Sequence, residues 1–290
     1  MASRLADDPV VRRLQGAGVE VAVEAAGDPD SLAPPLVLAH GLSATRRYVV
    51  HGSKLLPRAG YRVVSYDARG HGESNPAPDR TAYAYPDLVA DLGRLLDQLE
   101  LERVVLAGAS MGAATTLAFA LEAPERVAAL VQITPAHLGL PQTDEHQLAR
   151  WDALADGLER DGAEGFLRVY GEPPVEPRFR KLVLEAIRQR LERHVHPAAV
   201  ADAIRVVVRS KAFDGVLALE QVSAPTLVVA SSDELDPEHP YEVARLYVEH
   251  IEGAELVSEE AGASPLAWRG AALSRAIDDF LKRNDIRADA

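Results

Sequence analysis

Residues 103–107, Arg-Val-Val-Leu-Ala, run directly into Gly108-Ala-Ser-Met-Gly112 and then into the alanine-rich stretch 111–122. The first segment is short, apolar and β-branched, and reads as a strand buried on both faces. The last reads as a helix, and only a tight bend separates the two. A serine on so sharp a strand-to-helix turn has a strained backbone and a hydroxyl raised above the sheet edge. Gly108 and Gly112 remove side chains where strand and helix approach closely. The N–H of Met111, opening the helix, can face a developing negative oxygen with the helix dipole behind it. A five-residue G-x-S-x-G pattern recurs by chance in a chain this rich in Ala and Gly, so the strand–turn–helix context gives it its meaning.

The same alternation extends in both directions. Residues 19–26, 36–39, 61–66 and 126–133 read as further strands, and 46–59 and 86–100 as helices. Strand and helix in turn predict an α/β fold with a mostly parallel sheet covered on both faces. The pattern breaks after residue 134. From 135 to 222 the chain is polar and helical, with candidate helices at 144–160, 163–170, 178–194, 197–209 and 213–220. It resumes with strand 226–230, helix 240–251, strand 254–258 and a final helix near 266–283. This predicts a core in two parts, 1–134 and 223–290, with 135–222 inserted as a helical cap. The apolar positions Leu148, Trp151, Leu154 and Leu158 are spaced for packing against the core, and Tyr83 and Tyr85 are candidates for flanking the entrance beneath the cap.

Composition narrows the function classes. The 290 residues carry a net charge of -13 and no cysteine, and the isoelectric point is near 5.2. The acidity argues against nucleic-acid binding, and the missing thiols remove disulfides and thiolate catalysis. The N-terminal stretch has no apolar segment of signal-peptide length, and no apolar run is long enough to span a bilayer, so a cytoplasmic protein that does not engage membranes is the expectation. No cofactor or metal is implied. His194-x-His196 lacks helical metal-ligand spacing and reads as solvated.

Four segments match one pattern in order: His40-Gly41-Leu42 after a buried strand, Asp67-Ala-Arg-Gly-His-Gly-Glu-Ser74, Gly108-Ala-Ser-Met-Gly112, and Pro225-Thr-Leu-Val-Val-Ala230. With them the sequence resembles the α/β-hydrolase superfamily of helical-cap serine hydrolases, of esterase or lactonase type. The resemblance implies Ser110 as nucleophile, with the backbone N–H groups of Leu42 and Met111 as the oxyanion hole. His40 and His71 are expected to shape loops. The resemblance also implies an acid after strand 226–230. Asp233 is nearest the usual place, with Glu234 and Asp236 as neighbours.

The pattern fails at the histidine. The order in this superfamily is Ser, Asp or Glu, then His, yet Ala263 stands in the histidine's place and no histidine follows His250. Loss of the base alone removes on the order of a millionfold in turnover. Substitute candidates are His239, six residues beyond Asp233, and His137, after strand 126–133; the cap residues His194 and His196 are weaker candidates. Each has a plainer reading as a loop or surface residue.

The expectation is a serine hydrolase of esterase or lactonase type acting on a small acyl compound, with an atypical or missing general base. One alternative is a ligand-binding protein that retains the fold. Another is a non-hydrolytic enzyme, a lyase, cyclase or acyl transferase using the same pocket. Reaction of Ser110 with a serine-directed reagent separates these classes.

Overall fold

The structure is a computed structural model that describes residues 10–15, 18–232, 234, 236, 238–260, 263, 268 and 271–286. Eight strands form one sheet in the order β1-β2-β4-β3-β5-β6-β7-β8. They are β1 (Val10–Gln15), β2 (Glu20–Ala26), β3 (Leu36–Ala39), β4 (Val63–Tyr66), β5 (Val104–Ala109), β6 (Val127–Ile133), β7 (Thr226–Ala230) and β8 (Glu255–Ser258). β2 runs antiparallel to both β1 and β4, and every pairing from β4 to β8 is parallel.

The helices are α1 (Leu55–Arg58), α2 (Tyr85–Gln98), α3 (Met111–Glu122), α4 (Glu145–Tyr170), α5 (Pro177–Leu191), α6 (Pro197–Val207), α7 (Tyr241–His250) and α8 (Ala271–Arg283). The central strands are wholly buried, as continuous apolar runs such as Leu36-Val-Leu-Ala39 require when helices cover both faces. On one face Val37, Leu106 and Leu130 pack with α2 and α3. On the other, Leu38, Val105 and Val131 pack with Ile277 and Phe280 of α8.

Two expectations need correction. Residues 46–59 do not form one helix: a 3-10 turn at Arg46–Tyr48 and the four-residue α1 flank a break at His51 and Gly52, both at positive φ. A left-handed pair interrupts the helical hydrogen-bond ladder whatever the apolar spacing around it. The edge strand β1 had no counterpart in the sequence reading, where the first strand is 19–26. Its pattern Val-Val-Arg-Arg-Leu-Gln does not alternate, and its backbone pairs only with β2.

Between β6 and β7 lie α4, α5, α6 and a 3-10 turn at Val216–Gln221. Helix α4 is two helices meeting at Asp161 and Gly162, whose backbone angles are non-helical, which matches the two expected segments 144–160 and 163–170. Leu154, Leu158, Phe166, Leu191, Val200 and Ile204 form this insert's own core. Leu42 touches both that core and the main one, which places the loop after β3 at the junction of the two. The parallel strands end on one edge, with Ala39 beside Gly108, Ala109 beside Ile133, and Ala230 beside Ser258. That carboxyl edge is where open α/β sheets build their sites.

Candidate active site

The turn after β5 is held by two close backbone contacts. A Cβ on Gly108 would lie 2.2 Å from the carbonyl oxygen of Gly112, and a Cβ on Gly112 would lie 2.2 Å from that of Ala39. Strand, helix and the end of β3 therefore interlock with no room for a methyl group. We expect Gly112→Ala to destabilise the protein by about 3 kcal/mol or more through backbone displacement, read as a fall in the denaturation midpoint; an unchanged midpoint would contradict this packing.

Ser110 sits at the apex with φ 51° and ψ -110°, outside the conformations a serine ordinarily adopts. Such a residue costs roughly 1–3 kcal/mol and persists only where its surroundings impose it. Here they do. Its N–H donates to the carbonyl of Ile133 at 3.0 Å, and its own carbonyl accepts from Ala114 at 3.1 Å. Its hydroxyl makes no hydrogen bond among the described residues. Gly41 lies against it, since a Cβ there would stand 3.3 Å from the Ser110 Cβ. Among the described residues the N–H groups of Leu42 and Met111 have no acceptor, although Met111 is buried. As the first residue of a helix, Met111 has no intrahelical acceptor for its N–H, which leaves that donor available to an anion.

The loops behind this turn are fixed by neutral histidines. His40 donates from Nδ1 to the Gly41 carbonyl at 2.8 Å and accepts the Ala68 N–H on Nε2 at 2.9 Å. His194, from the insert, accepts the Gly72 N–H at 2.8 Å and donates to the Ser43 carbonyl at 3.0 Å. His71 lies between them, 5.1 Å from the His40 ring and 5.6 Å from the His194 ring. It bonds the Arg69 carbonyl through Nδ1, and its Nε2 is buried without a partner. The 67–74 segment is likewise structural. Asp67 accepts from the backbone N–H groups of Arg46 and Glu73, and Arg69 forks onto Asp91 at 2.7 and 2.8 Å. These contacts agree with the loop-shaping roles read for His40 and His71.

Burial, reinforced by the neighbouring His71, lowers His40 and His194 to pKa values of about 3. Burial alone lowers His137 to about 4. An imidazole whose folded pKa lies below its unfolded value of 6.5 takes up a proton on unfolding at any pH between the two values. Its stabilisation is therefore present above about pH 6.5 and is lost on acidification towards the folded pKa. Each ring contributes a slope of up to ~1.4 kcal/mol per pH unit, so together the three approach ~4 kcal/mol per unit below about pH 6. Urea denaturation between pH 7 and pH 5 should show a steep fall in stability. A flat profile would mean that these rings are not held neutral.

Among the substitute bases, His137 has both ring nitrogens engaged, accepting from Gly139 N–H at 3.0 Å and donating to the Tyr85 hydroxyl at 2.8 Å. His194 is similarly committed. His196 stands before α6, half-buried, with no hydrogen bond to its ring among the described residues. His239 differs from the others. Asp236 accepts from its Nδ1 at 2.8 Å, and its Nε2 has no partner among the described residues. Burial disfavours the charged ring, but the Asp236 carboxylate, with help from Glu238, outweighs it and raises the pKa above the ordinary value.

Asp233 lies outside the described residues. Glu234 is described and exposed. Ala263 is half-buried and donates its N–H to Glu260 at 3.1 Å, and its methyl group offers no base. Glu259 accepts from the Ser232 N–H and from the Trp268 indole, anchoring the start of the loop that carries Asp236 and His239.

Tyr83 and Tyr85 do not flank an entrance: they are 1% and 2% exposed, and their hydroxyls meet Ala77 N–H and His137. Their rings fill core space, as large half-apolar side chains do when the hydroxyl finds a partner. A cavity of about 270 Å³ bounded by Leu38, Arg46, Val50 and Val63 borders none of Ser110, Leu42, Met111 or His239, and we assign it no part in the chemistry. No cluster of three or more His, Asp or Glu side chains able to hold a metal ion occurs among the described residues. No helix among the described residues is long and apolar enough to cross a membrane.

Comparison with known proteins places this geometry in a family. The family model for the alpha/beta hydrolase fold matches residues 34–268. A putative 2-succinyl-6-hydroxy-2,4-cyclohexadiene-1-carboxylate synthase of Bacillus subtilis is 34% identical over 176 residues, 60% of this chain and 62% of that protein, so the match spans less than two thirds of that relative. An sn-1-specific diacylglycerol lipase of Mus musculus is 30% identical over 245 residues, 76% of this chain and 73% of the lipase. Among solved structures, a thermophilic esterase from Thermogutta terrifontis superposes with a TM-score of 0.76 at 24% identity, covering 96% of this chain and 100% of the esterase, a likeness of fold. The relatives are enzymes, and the resemblance read from the four motifs is borne out: the chain belongs to the α/β-hydrolase-fold family.

Proposed function

We propose that this protein is a serine hydrolase of ester-type bonds in small acyl compounds, working beneath the helical insert as a cap. The observation that carries this reading is the strained Ser110, its hydroxyl unengaged, next to two unpaired amides at Leu42 and Met111. Donors fixed in advance where negative charge develops are a large source of rate enhancement, and they need not reorganise during reaction.

In this reading His239 is the general base and Asp236 its orienting acid, in place of the Asp233 of the sequence-based expectation. The Asp236 carboxylate holds Nδ1–H, which leaves the Nε2 lone pair to take the Ser110 proton. Ser110 Oγ then attacks the acyl carbon, and the carbonyl oxygen gains negative charge against the two amides. His239 returns the proton to the departing alcohol. Water, deprotonated by the same ring, releases the acyl group from Ser110. Among the described residues no hydrogen bond joins Ser110 to His239, so this reading requires the His239 ring to come within reach of the serine in the reacting complex. Catalytic hydrogen bonds commonly tighten in this way on binding.

The test is stopped-flow hydrolysis of p-nitrophenyl butyrate. A burst of nitrophenol equal to the enzyme concentration, followed by slower turnover, supports an acyl-enzyme. Absence of both burst and turnover with a range of short-chain esters would favour a ligand-binding role for the fold.

A further inference from the structure

Within the insert, one arginine stands apart from its neighbours. Arg150, Arg188, Arg205 and Arg209 each hold a carboxylate oxygen within 3.1 Å, and Arg193 donates to the Tyr48 hydroxyl at 3.0 Å. The guanidinium of Arg190, on the last turn of α5, forms no ion pair or hydrogen bond among the described residues, and its Nε is sealed from solvent. The charges that act on it are those of Glu238, Tyr170, Asp236 and Tyr48, and Arg190 in turn acts on His239. It therefore faces the loop that carries the Asp236–His239 pair.

Both described acids whose charges act on it are already committed. Asp236 is bound to His239 at 2.8 Å, and Glu238 pairs with Arg150 at 3.1 Å. One guanidinium is left without a hydrogen-bond partner among the described residues, its Nε buried. A guanidinium in that position is costly to the empty protein. It fits a planar, bidentate anion of single charge, and a carboxylate matches its donors atom for atom.

We propose that Arg190 is a specificity residue that binds a carboxylate on the substrate, so that the preferred substrates are esters or lactones of acids with a second, free carboxylate. This rests on the assignment of Ser110 and His239 as the reacting groups, Arg190 lying close enough to His239 for its charge to act on that ring. The occupied state completes the charge pairing under the insert and draws α5 and the loop after β7 onto one ligand.

Two measurements separate this proposal from the hydrolase reading. The first is kcat/KM for p-nitrophenyl butyrate and for mono-p-nitrophenyl glutarate, in the native chain and in Arg190→Gln. The native protein should prefer the carboxylate ester by roughly 10- to 100-fold, the range for hydrogen bonds to a charged group. Arg190→Gln should lose that preference, read as the ratio of the two esters within each protein. The second is calorimetric titration with glutarate, which needs no turnover, together with the melting temperature of each free protein. Glutarate should bind the native chain and bind Arg190→Gln at least ~10-fold more weakly, with Arg190→Lys between them. The free variant should melt no lower than the native protein, because an unpaired charge has been removed.

Equal glutarate affinity in the two proteins, no glutarate binding to the native chain, or a clear loss of melting temperature in Arg190→Gln would each overturn the proposal, even if both esters are hydrolysed. Arg190-dependent glutarate binding without hydrolysis of either ester would uphold the subsite and count against the hydrolase assignment alone.

Discussion

Ser110→Ala should lower kcat for a good ester substrate by on the order of a millionfold while leaving the fold intact. The size follows from what the hydroxyl does. Without it no acyl-enzyme forms, and only the oxyanion donors and substrate binding remain, which together retain about a thousandfold over water. KM should change little, because the unengaged hydroxyl contributes no ground-state contact that the structure shows. Alanine at an apex with φ 51° bears the same backbone strain as serine, so thermal stability should move by less than about 1 kcal/mol. Steady-state kinetics and a melting curve on the same preparation check both parts. A drop of only a few fold would mean that Ser110 is not the nucleophile.

His239→Gln should reduce kcat by about ten-thousandfold or more, since an amide neither accepts the serine proton nor returns it. The pH profile carries the more specific signature. A base acts only when neutral, and the Asp236 carboxylate raises this ring's pKa above 6.5 against the effect of burial. In the native chain kcat/KM should therefore rise with pH through a midpoint above 6.5 and then level off. The variant should lose that limb. Because nucleophile and base act as one unit, the double variant Ser110→Ala/His239→Gln should be hardly worse than Ser110→Ala alone. Multiplicative losses would show that His239 acts elsewhere. Replacing Asp236 with Asn should lower kcat less severely, by misorienting the ring.

The elbow was legible in sequence because its constraints are local. A buried strand, two glycines and a helix leave the serine one place to go, and the structure puts Ser110 there. The parallel sheet was legible for the same reason, since strands buried on both faces are continuous apolar runs. Segments whose form depends on distant partners were harder. Edge strand β1 is held by backbone pairing with β2, to which its side-chain pattern gives no clue. The stretch 46–59 has helical spacing but breaks at His51-Gly52. Tyr83 and Tyr85 look like rim residues until α2 turns them inward.

The substitute base could be named only as one of several histidines. What distinguishes His239 is which ring nitrogens are already spent, and that is a tertiary fact. Arg190 gave no sign at all. In sequence it is one of four arginines in α5 and reads as part of a solvated face. Its isolation emerges only after the described acids that act on it, Asp236 and Glu238, have been matched to other partners.

The central claim is that an activated hydroxyl stands at residue 110 with a working base. Intact-mass measurement after brief exposure to a fluorophosphonate tests it directly. The account predicts rapid, stoichiometric addition to the native chain, none to Ser110→Ala, and greatly slowed addition to His239→Gln. A native chain that stays unmodified, or a His239→Gln variant that reacts as fast as the native one, would contradict it.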